Sequence, residues 1–167
     1  MFTMSEAENK SLARRLLEEV VNTGAVERLP EFLTSDCTNP HRGVQGLAWF
    51  QEHVLTFHRC YPDLVVTVDG QVAEDDTVVT WWTMRGTHSG EWGGVRPTDK
   101  RIVLHGMNIQ KFRNGRIVEE FGGSNSLEAL LELGMVQWAT GQQGAPNGGP
   151  APSVDNPNAP DGPPSVS

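Results

Sequence analysis

The sequence predicts an α+β domain in which a curved antiparallel sheet wraps over N-terminal helices, and two observations carry that expectation. Through about residue 60 the apolar residues recur at helical spacing, and from Asp63 onward they alternate with a period of two. Helices first and an antiparallel run second is the order of a helical layer packed on one sheet.

Each element follows from local chemistry. Ser5 stands three residues before Glu8 and ahead of Leu12, Leu16, Leu17, Val20 and Val21, which predicts a helix with a capping box at its start and a stop at Gly24. AVERLPEFL predicts a second short helix broken near Pro30, because proline has no N–H to donate. TSDCTNPHRG reads as a loop or a short strand dense in polar side chains. GLAWFQEHVLTFHRCYP predicts a third helix with Leu47, Phe50, Val54, Phe57 and Tyr61 on one side. DLVVTVDGQVAEDDTVVTWWTMRGTHSG supplies two strands joined around Ala73 to Asp76. KRIVLHGMNIQKFRNGRIVEEFGG supplies two more around Asn114-Gly115, a dipeptide suited to a two-residue hairpin. SLEALLELGMVQW closes the body as a helix.

At 167 residues, 37% of them hydrophobic, the chain suits one domain with a real core, expected over residues 1–140. From Gly141 the composition turns to Pro, Gly, Asn and Ser, which cannot bury enough surface to offset its ordering entropy, so residues 141–167 are expected to be a disordered tail. A net charge of -8 argues against nucleic acid or an anionic membrane as partner. No apolar stretch approaches the roughly 20 residues of a membrane span, and no export signal opens the chain. A soluble, cytoplasmic protein is expected, with Cys37 and Cys60 as reduced thiols outside any CxxC or CxxH spacing. Neither HxxxH nor HxH occurs, and there is no phosphate loop, nucleophile elbow or dinucleotide fingerprint, so no metal and no cofactor are expected.

YPDL at 61–64, GTHSG at 86–90, the PTD turn at 97–99, the NGRIVEE hairpin and the closing LLELG lie in order within residues 5–138. Together they resemble the SnoaL-like polyketide cyclases, often called ester cyclases, of the nuclear transport factor 2-like fold. The resemblance implies a cone-shaped α+β barrel enclosing a cavity, a homodimer formed through the opposite sheet face, and a cofactor-free cyclase acting on a hydrophobic, oxygenated small molecule of polyketide type. It also implies an Asp on the last strand as acid/base and a His on its neighbour. Counted outward from Gly115, those positions fall on Gly122 and Asn108, neither of which transfers a proton near neutral pH. The usual Asp/His mechanism therefore does not carry over, and glycine at 122 is read as room for a bulky ligand to approach the backbone.

Strand alternation then sorts the remaining candidates. Gly106, Asn108, Gln110 and Phe112 fall on one face of their strand, and His105, Met107, Ile109 and Lys111 on the other. Glu120 shares parity with Val118 and Gly122, so it is expected to face the cavity, where desolvation would raise its pKa. It is the first candidate acid/base, set against a solvated strand residue beside Glu119. His88 is the second, set against a role confined to fixing its loop. His105 is the third, either an acid/base at the cavity mouth or a subunit-contact residue. Trp82, Phe57 and Tyr61 are the expected walls of the substrate cavity, with Asn108, Gln110 and Gly122 as its floor. Trp92 on the GEWGGV loop, and Asp36, Asn39 and His41 near the entrance, are further candidates, although Asn39-Pro40 equally reads as a turn. His53 and His58 read as helix-face or core residues. The competing readings are a non-catalytic ligand-binding or assembly domain, and an epoxide-opening or hydroxylase-accessory relative of the same fold.

Overall fold

The computed structural model describes residues 5–137, and the tail expected over 141–167 lies outside them. Helix α1 (Glu6–Leu16) begins with the expected capping box: the Ser5 hydroxyl accepts from the Glu8 N–H, and the Glu8 carboxylate accepts from the Ser5 N–H at 2.7 Å. The helix continues through one π-helical turn, Leu17–Val21, and the chain leaves it at Gly24 with φ of +73°. Proline does not break the second helix. A 3-10 turn, Val26–Arg28, leads into α2 (Leu29–Phe32) with Pro30 in its first turn, where a missing N–H is no loss.

The polar segment that follows is a strand. β1 (Leu33–Asn39) pairs antiparallel with β2 (Val44–Gln45) and parallel with the last strand, so the sheet is not antiparallel throughout. Helix α3 (Ala48–Cys60) precedes the long strands β3 (Val65–Glu74), β4 (Thr77–Thr87), β5 (Arg101–Arg113) and β6 (Arg116–Ser124), and α4 (Ser126–Glu132) follows them. The hairpin between β5 and β6 turns on left-handed Asn114 and Gly115, as their sequence requires. Strand order is β2-β1-β6-β5-β4-β3, a curved sheet that stays open and does not close into a barrel.

The helices cover one sheet face, called the inner face below. Two apolar clusters form there. Leu16, Phe32, Phe50, Val78, Phe112 and Ile117 build the first, and Tyr61, Leu64, Met84, Ile102, Leu104 and Leu133 the second. On β4 the clusters meet Val78 and Met84, and on β5 they meet Phe112 and Leu104. The inner-face positions between those anchors hold Thr80, Trp82, Gly106, Asn108 and Gln110, so a polar row separates two dry regions. Consecutive tryptophans point to opposite faces, each over a glycine of the next strand. A Cβ at Gly70 would lie 2.1 Å from the Trp81 ring, and one at Gly106 would lie 2.4 Å from the Trp82 ring.

Candidate functional site

Register decides which side chains of β5 and β6 meet. Asn108 lies opposite Gly122 and Gln110 opposite Glu120. One correction concerns Val118. Lys111 pairs with Glu119 while Phe112 pairs with Ile117, so Val118 is an extra residue in β6 and Ile117 takes the inward place expected of it. Glu120 keeps its inward direction.

Glu120 is 3% exposed and is gripped through both carboxylate oxygens. The Asn108 Nδ2–H donates to one, the Gln110 Nε2–H donates to the other, and the Trp82 Nε1–H donates to Asn108 Oδ1. Burial pushes the Glu120 carboxyl up to about 7, opposed by the hydrogen bonds from Gln110 and Asn108. Near neutral pH the group is therefore divided between acid and base forms. Cys37 on β1 is fully buried, and burial, reinforced by the negative charge of Glu120, pushes its thiol up to about 12, which leaves it an inert core residue. The Gln110 Oε1 is buried and has no hydrogen-bond partner among the described residues.

Neither candidate histidine converges on Glu120. His88 is fully buried beyond Met84, in the region of the second cluster, with its ring 5.7 Å from that of Tyr61. Its Nδ1 pairs with Thr98 Oγ1 at 3.1 Å, and its carbonyl accepts from the N–H groups of Thr98 and Asp99, so it ties down the PTD turn. His105 projects from the outer face, where its Nδ1 meets Thr83 Oγ1 at 3.0 Å and Thr83 donates to Asp69 at 2.6 Å. The sheet itself separates His105 from Glu120. Asp69 and Thr83 carried no signal in the sequence, because their approach to His105 depends on the β3–β4–β5 register and its shift between Val68 and Gly70.

The expected substrate contacts divide in the same way. Asn39 is buried and its Oδ1 caps the Arg42 N–H at 3.1 Å, which is the turn reading. Phe57, Tyr61 and Trp92 all pack in the second cluster. A hollow of about 750 Å³ is lined by Trp82, Gly106 and Gly122 together with the outer-face residues Trp81, His105 and Phe121. His41 stacks on Phe121 at 4.3 Å along its edge. Glu120, Asn108 and Gln110, expected as its floor, are not among the lining residues; the hollow lies chiefly on the outer face, and of the expected cavity residues it borders only Trp82, Gly122, His105 and His41. Gly122 also has a tighter reason to be glycine than room for a ligand: a Cβ there would lie 2.2 Å from the Met107 carbonyl oxygen. Among the described residues no group of three His, Cys, Asp or Glu could hold a metal ion, and no helix is long and apolar enough to cross a membrane.

The SnoaL-like polyketide cyclase profile matches residues 11–133. The chain belongs to that family. Among solved structures, this SnoaL-like chain is similar to AclR from Streptomyces galilaeus, a proposed hydroxylase, at 26% identity and TM-score 0.70, over 79% of this chain and 84% of that one. IdmH from Streptomyces antibioticus, a proposed polyketide cyclase, is 28% identical at TM-score 0.66, over 75% and 98% of the two chains. TsrD from Streptomyces laurentii shares the fold at 21% identity and TM-score 0.72, over 80% and 99%. No curated protein matches by sequence.

Proposed function

We propose that this SnoaL-like protein is a cofactor-free enzyme of cyclase type, and that Glu120 moves the proton on a hydrophobic, oxygenated small molecule. The observation that carries the reading is a buried carboxylate, poised at about 7 and fixed by two amides, two residues along β6 from the position where the better-known relatives place their acid. Each carboxylate oxygen retains a second lone pair that can take a proton. The substrate lies against the Trp82 indole beside Gly122. Holding its reacting groups together there lowers the barrier independently of any second acid or base.

The test uses the full chain with a soluble aryl 1,3-diketone in D2O, following exchange of the activated C–H by NMR. Exchange above the buffer rate is expected, reduced by about 10²-fold or more in Glu120→Gln, the usual range for a lost general base. If the wild-type chain does not exceed the buffer rate, proton transfer by this site is refuted. A ligand-binding or assembly role, which the near-complete cover over Glu120 favours, then takes its place.

A further inference from the structure

We infer that the hollow on the outer face of the sheet is a second small-molecule site, and that its ligand is a planar hydroxyarene whose O–H is donated to the His105 Nε2. The site lies across the sheet from Glu120 and stands whether or not that group moves a proton.

Hydrogen counting fixes the state of the imidazole. The Thr83 hydroxyl has one hydrogen, and the Asp69 carboxylate can only accept, so that hydrogen points to Asp69 at 2.6 Å. The 3.0 Å contact between Thr83 Oγ1 and the His105 Nδ1 is then left with one donor, the Nδ1–H. A neutral His105 therefore carries its lone pair on Nε2, and among the described residues nothing donates to it.

The strands hold this relay in place. Asp69 is the extra residue where the β3–β4 register shifts, which brings its carboxylate to Thr83, and Thr83 is buried although it sits on the outer face. Asn125 fixes the backbone: its Oδ1 accepts from the His105 N–H at 2.8 Å, and its own N–H donates to the His105 carbonyl at 3.0 Å. Ring and backbone of one exposed residue are thus both positioned.

The space beside it suits a flat apolar body. Met107 and Gly123 are cross-strand partners, and a Cβ at Gly123 would meet nothing within 4 Å, so this glycine leaves open backbone where packing requires the one at 122. Trp81 pairs with Met107 on one side of that floor, and Phe121, with His41 stacked on it, stands along β6. All of these line the 750 Å³ hollow with His105, a volume that holds about two or three fused rings. Aromatic walls favour an arene, the Nε2 lone pair requires a donor, and the Asp69 charge opposes a carboxylate. A phenol-type O–H is the group that fits. An apolar neighbour over the rim would enclose this ligand but offers His105 no donor.

The experiment titrates the full chain with 2-naphthol, followed by its own fluorescence, against 2-methoxynaphthalene, which keeps the rings and lacks the O–H. The wild-type chain is expected to bind 2-naphthol about tenfold more tightly, the scale of one hydrogen bond. His105→Phe keeps a ring without the acceptor and is expected to remove the preference. Histidine ¹⁵N spectra are expected to show the proton on Nδ1 in the wild-type chain and no fixed tautomer in Thr83→Val, with the preference reduced to match. If Thr83→Val does not fold by circular dichroism, the exposed His105→Phe carries the test. Gly123→Val fills the floor and is expected to weaken both probes tenfold or more with the tautomer unchanged, whereas Glu120→Gln leaves both affinities as they were. Equal affinity for the two probes in the wild-type chain, a preference that survives His105→Phe, or binding untouched by Gly123→Val overturns the inference. Weakening by Glu120→Gln would put the probe on the inner face, and affinity that falls as chain concentration rises would put a second copy in the hollow; either overturns it.

Discussion

At position 120 a carboxylate has exchanged water for two amide donors, and the exchange is unfavourable enough to leave its pKa at about 7 against an ordinary 4.5. The sign of the consequence follows from proton counting. Between those two values the folded chain holds the Glu120 proton more tightly than the unfolded chain, so stability is greatest below 4.5 and falls as pH rises through 7. The full loss is about 3 kcal/mol. Glu120→Gln removes the ionisation while keeping the shape, and should be the more stable protein at pH 8 with a flatter profile between 5 and 8. Urea unfolding at the two pH values measures it, and an unchanged slope refutes the assignment. The C–H exchange rate should rise with pH to a plateau with an apparent pKa of about 7, because the base form does the work.

At the scale of elements, glycine at 122 is a packing requirement before it is a functional choice. Gly122→Asp rebuilds the acid that better-known relatives carry, yet its Cβ would collide with the Met107 carbonyl 2.2 Å away, so β5 and β6 would have to separate. The expected result is no gain in C–H exchange and a loss of about 2 kcal/mol, read as a melting point several degrees lower. At the other end of the domain, Ser5→Ala opens the capping box and should cost about 1 kcal/mol by urea unfolding. Features of this kind were legible in the sequence where the cause is local. The Ser5 cap, the Asn114-Gly115 turn and the even-numbered face of β5 all follow from residues within a few positions of each other. β1 was not legible, because its polar TSDCTN segment is a strand by virtue of β6, far along the chain. The Val118 bulge and the Asp69–Thr83–His105 contact escaped for the same reason, since each depends on how separate strands slide against one another. Alignment of Asn108, Gln110 and Glu120 followed from alternation, but burial of Glu120 depends on the helices above it.

At the scale of the whole molecule, no helix among the described residues covers the outer sheet face, which carries Trp81 at 40% exposure and Met107 at 50%, paired across β4 and β5, with Val103 exposed on the same side. Large apolar side chains rising from the middle of a wide sheet are costly to leave in water, at roughly 25 cal/mol for each Å². We propose that a second copy of the chain covers this face about a two-fold axis, since one patch serves both partners in that symmetry. Lys111 and Glu119 lie toward the hairpin end of the same face, 3.7 Å apart, and neutralise one another there. Val103→Glu puts a charge into the apolar face without touching the inner face, where Glu120 and Asn108 lie, or the hollow beside Trp82 and Gly122. Sedimentation velocity should then show a dimer for the wild-type chain and a monomer for the variant, with C–H exchange per chain retained if each inner-face site is complete within its own subunit. A wild-type monomer would remove the proposed contact, and a monomeric variant that loses exchange would show that the site needs the partner to hold its strands in register.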